Sequence, residues 1–96
     1  MEQQATVRQR RIPPPELGPM IAAARMRSGF RGRECARLAG LNHAYLIQLE
    51  SGARTPSRTV AEMLAAVLAF TAEERAELFE VSLPDVGKNH PGKRSA

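Results

Sequence analysis

Seven arginines fall between positions 25 and 58, at Arg25, Arg27, Arg31, Arg33, Arg37, Arg54 and Arg58, with only Glu34 and Glu50 to balance them there. Guanidinium groups are planar, always charged and suited to phosphate and carboxylate oxygens. The next stretch reverses sign: residues 59–83 hold Arg75 against Glu62, Glu73, Glu74, Glu77 and Glu80. Both ends are basic, with Arg8, Arg10 and Arg11 against Glu2, and Lys88, Lys93 and Arg94 against Asp85. The formal charge of +4 matters less than this segregation. A basic half joined to an acidic one suits a molecule that turns one face toward a polyanion, although solvated helix faces would account for the same charges.

Other reactive side chains are few. The chain has one cysteine, Cys35, so neither an intrachain disulfide nor a multi-cysteine metal site can form. Two readings of Cys35 stand: a redox-sensing thiol activated by Arg31, Arg33 and Arg37, or a core residue. Its place on an apolar helix face favours the core. His43 and His90 are far apart and lack companion ligands at metal spacing, so no metal or cofactor is expected. No nucleophile, base and oxyanion donor converge, so the chain does not read as an enzyme. No apolar run reaches the length of a membrane span and the N-terminus has no apolar signal region; a cytoplasmic protein is expected.

Those arginines must be positioned by helices. At 96 residues the chain is one domain by length. With three Phe, one Tyr and no Trp, its core must come from Leu, Ile, Val, Met and Ala. Residues 1–15 end in Pro13-Pro14-Pro15 and read as a basic, disordered arm, residues 16–83 as the folded domain, and residues 84–96 as a disordered tail. Five helices are expected and no strand. The first runs from about Glu16 to Ser28 with Leu17, Met20, Ile21 and Ala24 inward. The second covers Gly32 to Ala39 and stops at Gly40. The third opens at an Asn42 cap and ends at Gly52. The fourth takes Thr55 as cap and Pro56 as first helical residue, burying Val60, Met63, Leu64, Val67 and Leu68. The fifth opens on a Thr71-Ala72-Glu73-Glu74 capping box and presents Ala76, Leu78 and Phe79.

The second and third helices carry the informative spacing. Ala36 is small where another helix must cross closely, and Gly40 follows four residues later, where a sharp turn wants positive φ. Leu41, Leu46 and Leu49 then close the apolar interior. Together with Leu38-Ala39-Gly40, the run Tyr45-Leu46-Ile47-Gln48-Leu49-Glu50-Ser51-Gly52 and Thr55-Pro56-Ser57, this segment resembles the Xre and phage-repressor helix-turn-helix family over about residues 17–70. The stretch Thr71 to Phe79 is loosely similar to the actinobacterial MmyB-like subgroup.

The resemblance implies an all-α, five-helix, lambda-repressor-like domain whose third helix enters the major groove of double-stranded DNA, as a sequence-specific transcriptional regulator. His43, Ala44, Ile47 and Gln48 would then face base edges, with Gln48 bidentate to adenine. Arg31, Arg33, Tyr45, Arg54 and Arg58 would contact phosphates. The family's glutamine at the start of the second helix is replaced by Gly32. Arg25 and Glu50 are expected to form a partly buried ion pair, as in related repressor domains. A homodimer on a palindromic site, associated with the nucleoid, is expected. The competing expectation is an adaptor (antitoxin, anti-repressor or bridging factor) that keeps the fold and binds a protein through an exposed apolar end around Phe79, Val81 and Leu83. That end would serve equally as a dimer interface. The basic arm would either reach a minor groove or act as a solubilising tail.

Overall fold

The computed structural model describes residues 12–85. The elements are α1 (Leu17–Arg27), α2 (Gly32–Ala39), α3 (His43–Ser51), α4 (Arg58–Val67) and α5 (Ala72–Val81). Among the described residues there is no strand, only an isolated parallel bridge between Ser57 and Leu83. The fold is all-α, as expected.

Glycines end the first three helices. Gly40, at φ 74°, lets the Leu41 amide reach back to the Ala36 carbonyl at 2.8 Å, which makes the sharp turn into α3. Gly52, at φ 85°, does the same after α3, with the Ala53 amide on the Gln48 carbonyl at 2.9 Å. At the helix starts, the Asn42 side chain accepts from the Ala44 amide at 2.8 Å. Thr71 and Glu74 form the reciprocal capping box of α5.

The fourth helix begins two residues later than its sequence suggested. Ser57, not Thr55, is its N-cap, accepting from the Val60 amide at 3.2 Å. The reason lies at the far end of the chain. Leu83 folds back beside the α4 start, its amide donating to the Pro56 carbonyl at 2.9 Å and its carbonyl accepting from Arg58 at 2.8 Å. That pairing runs along Ser57, which is extended, and the helix starts at Arg58. Asp85 extends the clasp by accepting from the Thr59 amide at 3.1 Å and hydroxyl at 2.7 Å. Two residues assigned to a tail, Pro84 and Asp85, are thus part of this described structure. Upstream, Pro13 is buried and the Pro14 carbonyl accepts from Leu17, so structure also begins before Glu16. The rest of the arm and tail lies outside the described residues.

One core joins all five helices: Leu17, Ile21 and Ala24 from α1; Cys35, Ala36 and Ala39 from α2; Leu46 and Leu49 from α3; Val60, Ala61 and Leu64 from α4; and Leu68 and Leu78. Small residues on α2 let its neighbours approach. The closest approach is at Gly18, where an added Cβ would stand 2.4 Å from the Glu50 carbonyl oxygen. Here α1 lies directly on the C-terminal backbone of α3. The end of α1 is tied to the loop before α5: Ser28 accepts from the Ala69 amide at 2.9 Å, and Arg27 donates to the Ala69 carbonyl and to Glu74, both at 2.6 Å.

Candidate nucleic-acid interface

Helix α3 buries Leu46 and Leu49 and leaves Ala44, Ile47, Gln48 and Ser51 exposed. Those positions, spaced three and four apart, form one continuous face. Ile47 is 53% exposed and gives this otherwise small and polar face its one large aliphatic. Ser51 was not singled out from the sequence, although counting seven residues on from Ala44 finds it.

The two polar groups nearest this face are already organised. Arg54, in the loop after α3, donates from Nε to Oε1 of Gln48 at 2.7 Å. Its guanidinium also lies over the Tyr45 ring, 5.6 Å from the centroid. Tyr45 is half-buried, and that burial pushes its phenol pKa up against a smaller opposing effect of Arg54. The hydroxyl therefore stays protonated and able to donate.

His43 behaves differently from its helix neighbours. Its ring is half-buried and its Nε2 lies 3.0 Å from where a Cβ of Gly32 would stand. The imidazole thus occupies space that a side chain at position 32 would need. A side chain at position 32 would require that ring to give by a few tenths of an ångström, so His43 sits beside the start of α2.

At the start of α2, Arg31 and Arg33 are exposed. Arg31 is the N-cap and its side chain takes none of the first-turn amides. The N-terminus of α2 is therefore a cluster of N–H donors flanked by two guanidiniums, which favour anionic oxygens against the opposing charge of Glu34 in the same turn.

Arg58 is not part of this grouping. Its guanidinium lies 5.2 Å from the Phe79 ring centroid and 4.0 Å from Glu62, and Arg75 lies over the same ring at 5.4 Å. Phe79, Val81 and Leu83, expected as an exposed apolar end, are each half-buried. Two arginines lie over the Phe79 ring and Leu83 pairs with the start of α4, so that end is partly covered.

Arg25 and Glu50 sit behind the face. Arg25 donates to Glu50 through Nε at 2.7 Å and NH2 at 3.0 Å, and its NH1 reaches the Phe30 carbonyl at 3.0 Å. This bidentate pair fixes the C-terminal end of α3 to α1. The hydrogen bond that Arg25 donates to Glu50 raises its pKa further, so the cation is permanent. Cys35 is fully buried, and burial, with Glu50 adding to it, pushes its thiol pKa up. It is a neutral core residue, and the redox-sensor reading has no support in its surroundings.

Two short helices joined by a glycine turn, the second with a free face, an anion-attracting helix start beside it and a buried pair behind it, define a helix-turn-helix protein. The match to known families agrees: the helix-turn-helix domain model covers residues 16–78, and the chain belongs to that family. No curated protein matches the chain. No solved structure matches it either. No helix of the described residues is long and apolar enough to cross a membrane.

Proposed function

We propose that the protein is a sequence-specific DNA-binding transcriptional regulator that inserts α3 into the major groove. The observation that carries this reading is the exposed Ala44–Ile47–Gln48–Ser51 face with Arg54 bonded to Gln48 on it, and exposed Arg31 and Arg33 flanking Gly32, which meets His43 at the start of α3. Ile47 and Ala44 suit thymine methyls, Gln48 suits a polar base edge, and the α2 start with Arg31 and Arg33 suits a phosphate. Tyr45 adds a hydroxyl donor. His43, turned toward Gly32, contributes at the rim by meeting a phosphate rather than a base.

Within helix-turn-helix proteins the reading is the Xre and phage-repressor type, loosely MmyB-like, supported by the Leu38-Ala39-Gly40, Tyr45–Gly52 and Thr55-Pro56-Ser57 runs. A nine-residue α3 spans only about 13 Å of groove. One copy can read one half-site, so a homodimer on a palindrome, acting at the nucleoid in the cytoplasm, follows as part of the proposal. The adaptor alternative has less apolar surface to use, since Phe79, Val81 and Leu83 are each half-buried and Arg58 and Arg75 lie over the Phe79 ring.

Selection of bound duplexes from a random pool tests the reading. The full chain should enrich one sequence with two-fold symmetry. Ile47→Glu, which places a carboxylate on the exposed face without touching the core, should abolish enrichment while leaving the helical circular dichroism unchanged. Equal enrichment by that variant would remove α3 from the interface.

A further inference from the structure

The Arg54–Gln48 contact determines what chemistry the reading face can present. A guanidinium has only N–H donors, so the carboxamide beside it must turn its oxygen inward. Gln48 therefore has Oε1 engaged by Arg54 at 2.7 Å and its Nε2 amine directed away. Arg54 is itself held over the Tyr45 ring, so the orientation is anchored on a half-buried aromatic and not on two loose side chains alone. What the pair has left to offer, once that bond is made, is the Gln48 Nε2 amine plus Nη1 and Nη2 of Arg54, all donors.

An unrestrained glutamine suits adenine, because its oxygen accepts from the adenine N6 amine while its own amine donates to N7. That match needs the oxygen facing the base. With the oxygen turned to Arg54, the surface offers donors to a base edge that carries two acceptors. Guanine, with O6 and N7, is the base with that edge in the major groove; cytosine presents an amine there, and adenine presents one acceptor beside an amine.

We infer that Arg54 is a specificity-positioning residue: by holding the Gln48 oxygen it converts Gln48 from an adenine reader into part of a donor pair that selects guanine. The inference rests on the DNA-binding reading above. It assigns to Arg54 a role beyond charge, and replaces the expectation that Gln48 pairs with adenine.

The test is the same random-pool selection with the full chain, run on the wild type, Gln48→Ala, Arg54→Ala and Arg54→Lys. The wild type should show a guanine preference of about tenfold or more at one position of each half-site. Gln48→Ala should lose it. Arg54→Ala frees the carboxamide and should move the preference at that position from guanine to adenine, a change that mere loss of charge would not produce. Arg54→Lys, which keeps the charge without the planar guanidinium, should blur the position while retaining most of the affinity. Adenine at the Gln48-dependent position in the wild type would overturn the inference. So would uniformly weaker binding by Arg54→Ala with the base preference unchanged. Either result would leave the DNA-binding reading standing, whereas no enrichment by the wild type would remove both.

Discussion

Gly18 is the residue with the least room to change. An alanine would normally be welcome within a helix, since it costs less backbone entropy than glycine by about 1 kcal/mol. Here its methyl would collide with the Glu50 carbonyl oxygen at 2.4 Å, the Glu50 carbonyl carbon at 2.9 Å and the Leu49 carbonyl oxygen at 3.1 Å. All three atoms are backbone, so no rotamer change relieves the clash, and α1 must move off α3. Gly18→Ala should therefore destabilise by roughly 1–3 kcal/mol or more despite the better helix propensity. Urea denaturation measures this. An unchanged or raised midpoint would mean that α1 and α3 are not in backbone contact. By contrast, nothing stands within 4 Å of a Cβ at Gly29, where the constraint is the positive φ of 84° alone.

At the scale of helices, the Arg25–Glu50 pair and the capping box of α5 are the polar elements that fix how the parts meet. Both Arg25 and Glu50 side chains are 17% exposed. Removing one partner should destabilise by less than the roughly 3–5 kcal/mol of a deeply buried pair, because water reaches the survivor. Glu50→Ala should lower thermal stability, and the apolar double variant Arg25→Met/Glu50→Leu should recover most of the loss. A double variant as unstable as the sum of the singles would argue against direct coupling. In α5, the Glu74 carboxyl is held below the usual carboxylate range, chiefly by the Thr71 backbone amide and then by Arg27. A depressed folded pKa contributes stability above the unfolded value, about pH 4.3, and loses it as pH falls through the folded value. Glu74→Gln should make the acid side of the stability profile shallower below that pH and lower stability at neutral pH. An unchanged profile would show that the carboxylate is solvated.

These elements also show what the sequence could and could not reveal. Asn42, Gly40, Gly52 and the Thr71 box act through neighbours within five residues, so their signals were local and legible. So was the α3 face, because helical spacing alone separates Ala44, Ile47 and Gln48 from Leu46 and Leu49. The Ser57 cap was not, because the extended Ser57 pairs with Leu83, 26 residues away. The same distance hid Arg58, whose sign suggested phosphate while its partner, Phe79, became apparent only once α5 had packed. Gly18 had a faint signal, a glycine inside an otherwise helical run, but the helix it must approach could not be read from spacing. The Gly32–His43 contact was visible only as a departure from the family's glutamine.

Over the whole molecule, charge segregation becomes a statement about which cations meet DNA. Exposed Glu73 and Glu80 on α5 would repel a phosphate backbone, whereas Arg54 is bonded to Gln48 on the free face of α3 and exposed Arg31 and Arg33 flank Gly32 beside the start of that helix. Each phosphate neutralised releases counterions and steepens the fall of log K with log salt by about 0.9. Arg54 being assigned to a base edge, Arg31 and Arg33 are the two phosphate cations among the described residues and give a slope of about −2 per subunit. Four cationic contacts, with Arg54 and Arg58 included as the sequence suggested, would give about −4, since the neutral Tyr45 hydroxyl adds nothing to the slope. Arg58 therefore separates the two counts, and Arg33, common to both, calibrates the measurement. Arg33→Ala should weaken binding to all sequences alike and make the slope shallower by about 1, with thermal stability unchanged. Arg58→Ala should leave the slope as it is and lower the melting temperature, since its guanidinium lies over the Phe79 ring across the α4–α5 seam. Fluorescence anisotropy of a labelled duplex across a salt series, with a melt of each variant, measures both quantities. If the slope changes with Arg58 and not with Arg33, the DNA-facing side of the domain includes the start of α4 and excludes the start of α2, and α3 would have to approach the groove from its C-terminal end.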